Sequence, residues 1–204
     1  MKILSVVGCA LIALAPATAH AGGLELGLLL DKQVGKAQAL TAPSNGLKAG
    51  NYDSVGPTGL GFRAAYTFLD LKIAGLGAAV TYHPKAEGDL KLGSATLGKY
   101  GSEYSAVGLQ ADWKFIINLN AGIDYRFEKL TTSGPGLPTE TTNLGRPWVR
   151  AGLGFSAPLP VVSPFVRLEV AAPLSTPAKG DGNEEFRKAM APSFQVALYG
   201  GIRF

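Results

Sequence analysis

The stretch LNAGIDYRFEK, residues 119–129, alternates without a break. Leu119, Ala121, Ile123, Tyr125 and Phe127 share one parity, and Asn120, Gly122, Asp124, Arg126 and Glu128 share the other. Successive side chains of a strand point to opposite faces, so a period of two marks a strand with one face in an apolar medium. A helix would need its apolar residues three and four apart.

Outward from this segment the same period recurs. Gly23 to Val34 sets Leu24, Leu26, Leu28 and Leu30 against Glu25, Gly27, Leu29 and Asp31. Pro57 to Phe68 and Leu71 to Tyr82 follow, separated by Leu69-Asp70 alone. Tyr104 to Phe115 leads into 119–129, and Pro147 to Ala157, Ser163 to Ala172 and SFQVALYGGIRF (193–204) complete the series. That predicts eight strands whose connections alternate long and short. In an up-and-down meander every second connection lies at the same end, which puts four long polar loops at one end and three tight turns at the other. Pro57, Pro147 and Pro192 are expected to open the second, sixth and eighth strands, where a missing ladder N–H is tolerated.

Bulk properties narrow the class. MKILSVVGCALIALAPATAHA, residues 1–21, has an early Lys, an apolar run and a small-x-small ending, the pattern of a cleaved secretory signal peptide. Its removal leaves one domain, 22–204, with no cysteine and a charge near +3. Disulfides and thiolate chemistry are thereby excluded from the exported part. No later segment has the roughly 18 consecutive apolar residues of a spanning helix. The basic residues are dispersed among acidic ones, which argues against a nucleic-acid partner.

The two parities show which medium the apolar face meets. The polar parity mixes long charged residues with Gly27, Gly59, Gly61, Gly108, Gly122, Gly152, Gly154 and Gly201, as a cramped interior requires. On the apolar parity Phe68, Trp113, Phe115, Phe155 and Phe204 fall at the short-turn end, and Tyr82, Tyr125, Phe127 and Phe194 at the other. Two aromatic levels with aliphatic residues between them match the girdles of a lipid-facing wall. The expected fold is all-β: an eight-stranded antiparallel up-and-down transmembrane β-barrel.

With its leader, eight alternating strands, tight turns and final Phe204, the chain resembles the small bacterial outer-membrane β-barrels of the opacity-protein, OmpX and OmpA-barrel group, and more loosely OmpW. The resemblance covers the exported chain and rests on pattern rather than a diagnostic motif. It implies both termini in the periplasm, turns at 69–70, 115–118 and 158–162 there, and the long loops outside the cell. It also makes Phe204, with Ile202, Leu198 and Val196, similar to the signal read by the outer-membrane insertion machinery. Implied partners are outer-membrane lipid and lipopolysaccharide, that machinery, and an extracellular partner reached by the loops, for a monomer.

Parity sends Glu25, Arg63, Asp112, Lys114, Asp124, Arg126, Glu128, Arg150, Arg167, Glu169 and Arg203 into the lumen, with Glu25 beside Arg203 where the first and last strands close. Eight strands enclose an interior just wide enough for side chains. An interlocked plug of opposite charges is therefore expected, with a surface structural or interaction role carried by the loops. The alternative is a narrow OmpW-like channel for small or apolar solutes. A lipid-modifying enzyme is a weaker alternative, because the exported chain has one histidine, His83, expected at the rim of the third strand with no fixed Ser or acidic partner. No ligand spacing for a metal or cofactor occurs.

Overall fold

The computed structural model describes residues 23–204 apart from 36–37, 41–49, 55, 72, 93, 115–116, 136, 158, 160 and 176–189. The leader at 1–21, Phe115 and most of the last long connection lie outside the described residues.

Eight long strands form the wall: β1 (Leu24–Val34), β4 (Thr58–Asp70), β5 (Ala74–Leu92), β6 (Ala95–Trp113), β7 (Asn118–Gly134), β8 (Leu137–Ser156), β9 (Ser163–Pro173) and β10 (Phe194–Arg203). Two short strands, β2 (Gln38–Leu40) and β3 (Gly50–Ser54), occupy the first long connection, where β3 pairs with the far end of β5. Every pairing is antiparallel. Sequential neighbours pair along the wall, and β1 pairs with β10 from Glu25↔Arg203 to Val34↔Phe194 to close it. Closure leaves no open edge at membrane depth, where an unpaired backbone group has no water to bond.

The alternation sorts as the period requires. Leu28, Leu60, Phe62, Leu109, Ile123, Leu153, Leu168 and Leu198 are exposed on the outer wall, while Glu25, Arg63, Asp124, Arg150, Arg167 and Glu169 are buried inside. Such an apolar exterior around a charged interior inverts a water-soluble core, and it suits a wall surrounded by lipid. Phe68, Trp113, Phe155 and Phe204 ring one end, and Tyr82, Tyr125, Phe127 and Phe194 ring the other, all exposed.

The strands run further than the sequence pattern indicated. Stretches 83–103 and 130–146, expected to be mostly loop, are paired ladder: β5 and β6 stay in register to Leu92↔Ala95, and β7 and β8 to Gly134↔Leu137. The polarity of the two faces reverses on the way. On β7, Phe127 points out and Glu128 in, yet one step later Lys129 is exposed and Leu130 fully buried. The outer face has passed from an apolar medium into water, so the interior now takes the apolar residues. Alternation persists through that point while its sign flips, and a search for apolar-out strands stops there.

Smaller differences have local causes. The chain reverses between Leu71 and Ala74, which exchange reciprocal hydrogen bonds, and not at 69–70. A bulge between Thr67 and Leu69 shifts the register and lets β4 run on to Asp70. Pro147 lies inside the lengthened β8 instead of opening it. Its carbonyl accepts from Leu174 where the β8–β9 ladder ends, so its missing N–H falls beyond the paired edge. Pro84 sits in a second bulge, between His83 and Ala86.

Candidate functional site

The interior is built in tiers along the barrel axis. Nearest the tight turns, Glu25 takes a two-pronged bond from Arg167 at 3.1 and 2.9 Å and a second cation, Arg203, at 2.6 Å. Asp112 lies 3.2 Å from Arg167 and 3.7 Å from Arg203, and accepts from Gln110 and Asn120. Strands β1, β6, β9 and β10 thus meet across the lumen at two carboxylates.

In the middle tier Arg63 donates to both Glu169 oxygens, at 2.9 and 2.6 Å, and to Thr81. Arg150 donates to Asp124 at 2.9 Å, to Asn120 at 2.8 Å and to Gln110 at 2.9 Å. Gly122 is the floor for that guanidinium: a Cβ there would come within 2.8 Å of Arg150 Cζ, so any larger residue would displace the ion pair.

The third tier is aromatic and polar. His83 is fully buried, stacked on Tyr104 with ring centres 5.0 Å apart, and its Nε2 stands 2.9 Å from Asp31 Oδ1. Tyr104 donates to Asp31 at 3.0 Å, and Gln195 donates to both Tyr104 Oη and Asp31. Arg126 lies over the rings of Tyr104 at 4.7 Å and Trp148 at 4.0 Å. Above it, Arg146 holds Glu128 at 2.6 Å and donates to the Pro192 carbonyl at 2.5 Å. An apolar cap of Leu90, Tyr100, Leu130, Leu144, Met190 and Ala191 is buried inside the wall at the end away from the tight turns. Burial there pushes the Tyr100 hydroxyl far above its ordinary pKa.

Of the charged residues expected in the lumen, ten are joined in or stacked within these tiers. Lys114 is not: β6 ends at Trp113, and Lys114, at the turn, pairs with Asp70 at the end of β4. Four residues were missed. Asp31 shares the parity of Glu25, and Tyr104 that of Gln110, so alternation alone points both inward. Arg146 fell just before the stretch first assigned to its strand. His83 was expected at the rim, and it faces inward because the ladder continues past it. The described interior then carries six arginines (63, 126, 146, 150, 167, 203) and six carboxylates (25, 31, 112, 124, 128, 169). Unpaired charges at this depth would be prohibitive, whereas paired and hydrogen-bonded ones are tolerated. The fully buried arginines and their partners leave an interior cavity of about 10 Å³ between the middle and third tiers, room for one water at most.

Val196, Leu198, Ile202 and Phe204 all face outward on the last strand and the residue after it. Among the described residues no group of three or more His, Cys, Asp or Glu could hold a metal ion.

No protein-family model matches the sequence, and no curated protein matches it. Among solved structures, the chain is similar to a major outer membrane protein from Thermus thermophilus, with a TM-score of 0.55 and 13% identity over 91% of this chain and 99% of that one. It is also similar to Ail, the attachment invasion locus protein of Yersinia pestis, solved with the heparin analogue sucrose octasulfate. There the TM-score is 0.50 and the identity 14%, over 90% of this chain and 97% of that chain. At such identities the likeness concerns architecture, and it agrees with the register and burial above: the chain has the fold of the small eight-stranded outer-membrane β-barrels.

Proposed function

We propose that the chain is an integral outer-membrane protein, exported by its N-terminal leader, that works as a surface structural or interaction protein and does not pass solutes. The observation that carries this reading is the interior. Arg63–Glu169, Arg150–Asp124 and Arg167–Glu25 cross it at successive heights, and the apolar cap lies above them. A channel would need a continuous path past these side chains. The working surface is then the ladder that β5 to β8 extend beyond the aromatic level, with Lys85, Glu87, Asp89 and Lys99 on its outer face. Ail, an attachment protein by name, offers an architectural precedent for such a role.

A lipid-modifying activity is disfavoured by the place of His83. Its ring is enclosed between Tyr104, Asp31 and the Gly59–Gly61 backbone, with no exposure to lipid or solvent. The outward row of Val196, Leu198, Ile202 and Phe204 supports recognition by the insertion machinery during biogenesis.

Attachment of intact cells to abiotic and cell surfaces tests the role. Cells making the full chain are compared with cells making a variant whose β5–β6 hairpin is cut to a tight turn above Tyr82 and Ser105. The expected result is weaker attachment at equal amounts of folded barrel. Unchanged attachment with slower uptake of small solutes would overturn the reading in favour of a channel.

A further inference from the structure

Between the two aromatic levels the outward positions of the eight wall strands are uncharged, with one exception among the described residues, Lys32. It is exposed on β1, between Leu30 and Val34 of the same parity, whereas the outward Lys85, Lys99 and Lys129 lie on the ladder above. Directly opposed to Lys32 are Val196 on β10 and Thr58 on β4, neither of them charged. The carboxylate next to it in sequence, Asp31, is buried on the other face of the strand.

The depth of Lys32 follows from the strand. Leu24 lies at the lower aromatic level, where its carbonyl accepts from the Phe204 N–H, and Lys32 is eight residues further along β1. At the rise and tilt of a barrel strand that distance is about 20 Å, against an apolar band about 25 Å tall. Val34, opposed to Phe194, marks the upper edge. Lys32 therefore leaves the backbone just inside the lipid, and its four-carbon stem carries the ammonium up to the edge of the band. Thr58 adds a second polar group at the same place. Directly opposed residues of an antiparallel pair have Cβ atoms about 4.5–5.5 Å apart, close enough for ammonium and hydroxyl to bond one tetrahedral anion. Below them Leu30 opposes Leu60 and Leu28 opposes Phe62, all four about half exposed on the wall.

We propose that Lys32 and Thr58 bind the phosphate of a membrane lipid in the leaflet on the loop side, with Leu28, Leu30, Leu60 and Phe62 holding its acyl chains. The ammonium pairs with one phosphate oxygen, and the Thr58 hydroxyl donates to another. A free phosphate would make no use of the apolar run beneath. An acyl chain alone would leave the ammonium without a counter-charge at the edge of the lipid. The site rests on the reading of this wall as lipid-facing, and it is independent of whether the lumen conducts.

Native mass spectrometry of the full chain, released from a maltoside detergent, tests this with phosphatidic acid and with diacylglycerol of the same chains. The unaltered chain should retain phosphatidic acid over diacylglycerol, and Lys32→Gln should weaken that retention roughly fivefold, the weight of one lysine at a lipid surface. Thr58→Val should weaken it as well, and Lys32→Arg should keep it. Equal retention by Lys32→Gln, an equal loss in Lys114→Gln at the opposite rim, or equal retention of diacylglycerol would overturn the site. So would displacement of the lipid by inorganic phosphate, which would mark a site for the free anion. A chain that stays dissolved without detergent would instead defeat the lipid-facing reading on which the site rests.

Discussion

Asp124 and Arg150 lie inside the barrel, 2.9 Å apart, with Asn120 and Gln110 completing the guanidinium's bonds. Removing one member of such a pair strands the other without water or counter-charge, which costs about 3–5 kcal/mol, whereas removing both costs much less. Asp124→Ala is therefore expected to lower the unfolding free energy by that amount in a urea titration in detergent. Asp124→Ala with Arg150→Met should recover a large part of it; additive losses would mean that the pair is not coupled. A second expectation concerns Gly59. A Cβ there would overlap the His83 ring, so Gly59→Ala should destabilise by about 1–3 kcal/mol in the same titration, and the loss should shrink in a His83→Ala background. At this scale parity was informative: the residues of the lower and middle tiers were legible from which side of a strand they occupy. Their partners were not, because which carboxylate meets which arginine depends on strand stagger across the lumen. Glu25 and Arg203 are the exception, since the closure of first strand on last sets that pair directly.

The wall strands change character along their own length. Below the upper aromatic level the outer parity is Leu, Ile, Val and Phe; above it, Lys129 and Lys99 point outward while Leu130 and Tyr100 are buried. The reversal on β7 between Phe127 and Lys129 marks where the outer medium changes from lipid to water. Single cysteines make this measurable, since residues 22–204 contain no cysteine of their own. Lys129→Cys and Lys99→Cys should react with a charged maleimide on intact cells, whereas Ile123→Cys and Leu153→Cys should stay unlabelled until the membrane is dissolved. Equal labelling of all four would place the boundary elsewhere. The same reversal explains what the sequence pattern concealed. The barrel strands of 119–129 and 193–204 were legible because one parity is uniformly apolar. The continuations 83–103 and 130–146 were not, because the apolar parity there is the opposite one and each run is short, with Leu90, Leu130 and Leu144 as its few anchors. Exposed pairs such as Lys99–Asp89 at 2.8 Å contribute little to stability at that surface, and their bonding holds the Asp89 carboxyl below its ordinary pKa.

As a whole the molecule is a closed wall with paired charged side chains buried inside it, an apolar cluster at one end and tight turns at the other. Closure follows from eight mutually registered strands, and the narrow bore that eight strands give brings the inward charges within reach of one another. The closure was legible in the count and alternation of strands. The cap was not, because Met190 and Ala191 come from a connection with no period of its own, and their packing on Leu90, Leu130 and Leu144 is a tertiary fact. The interior side chains are expected to bar passage. Single-channel recording of the full chain in a planar bilayer tests it most directly, alongside the charge reversals Arg63→Glu and Arg167→Glu. The expected result is a flat current for the unaltered chain. Discrete conductance steps from that chain, with an ion selectivity that shifts in either reversal variant, would contradict it.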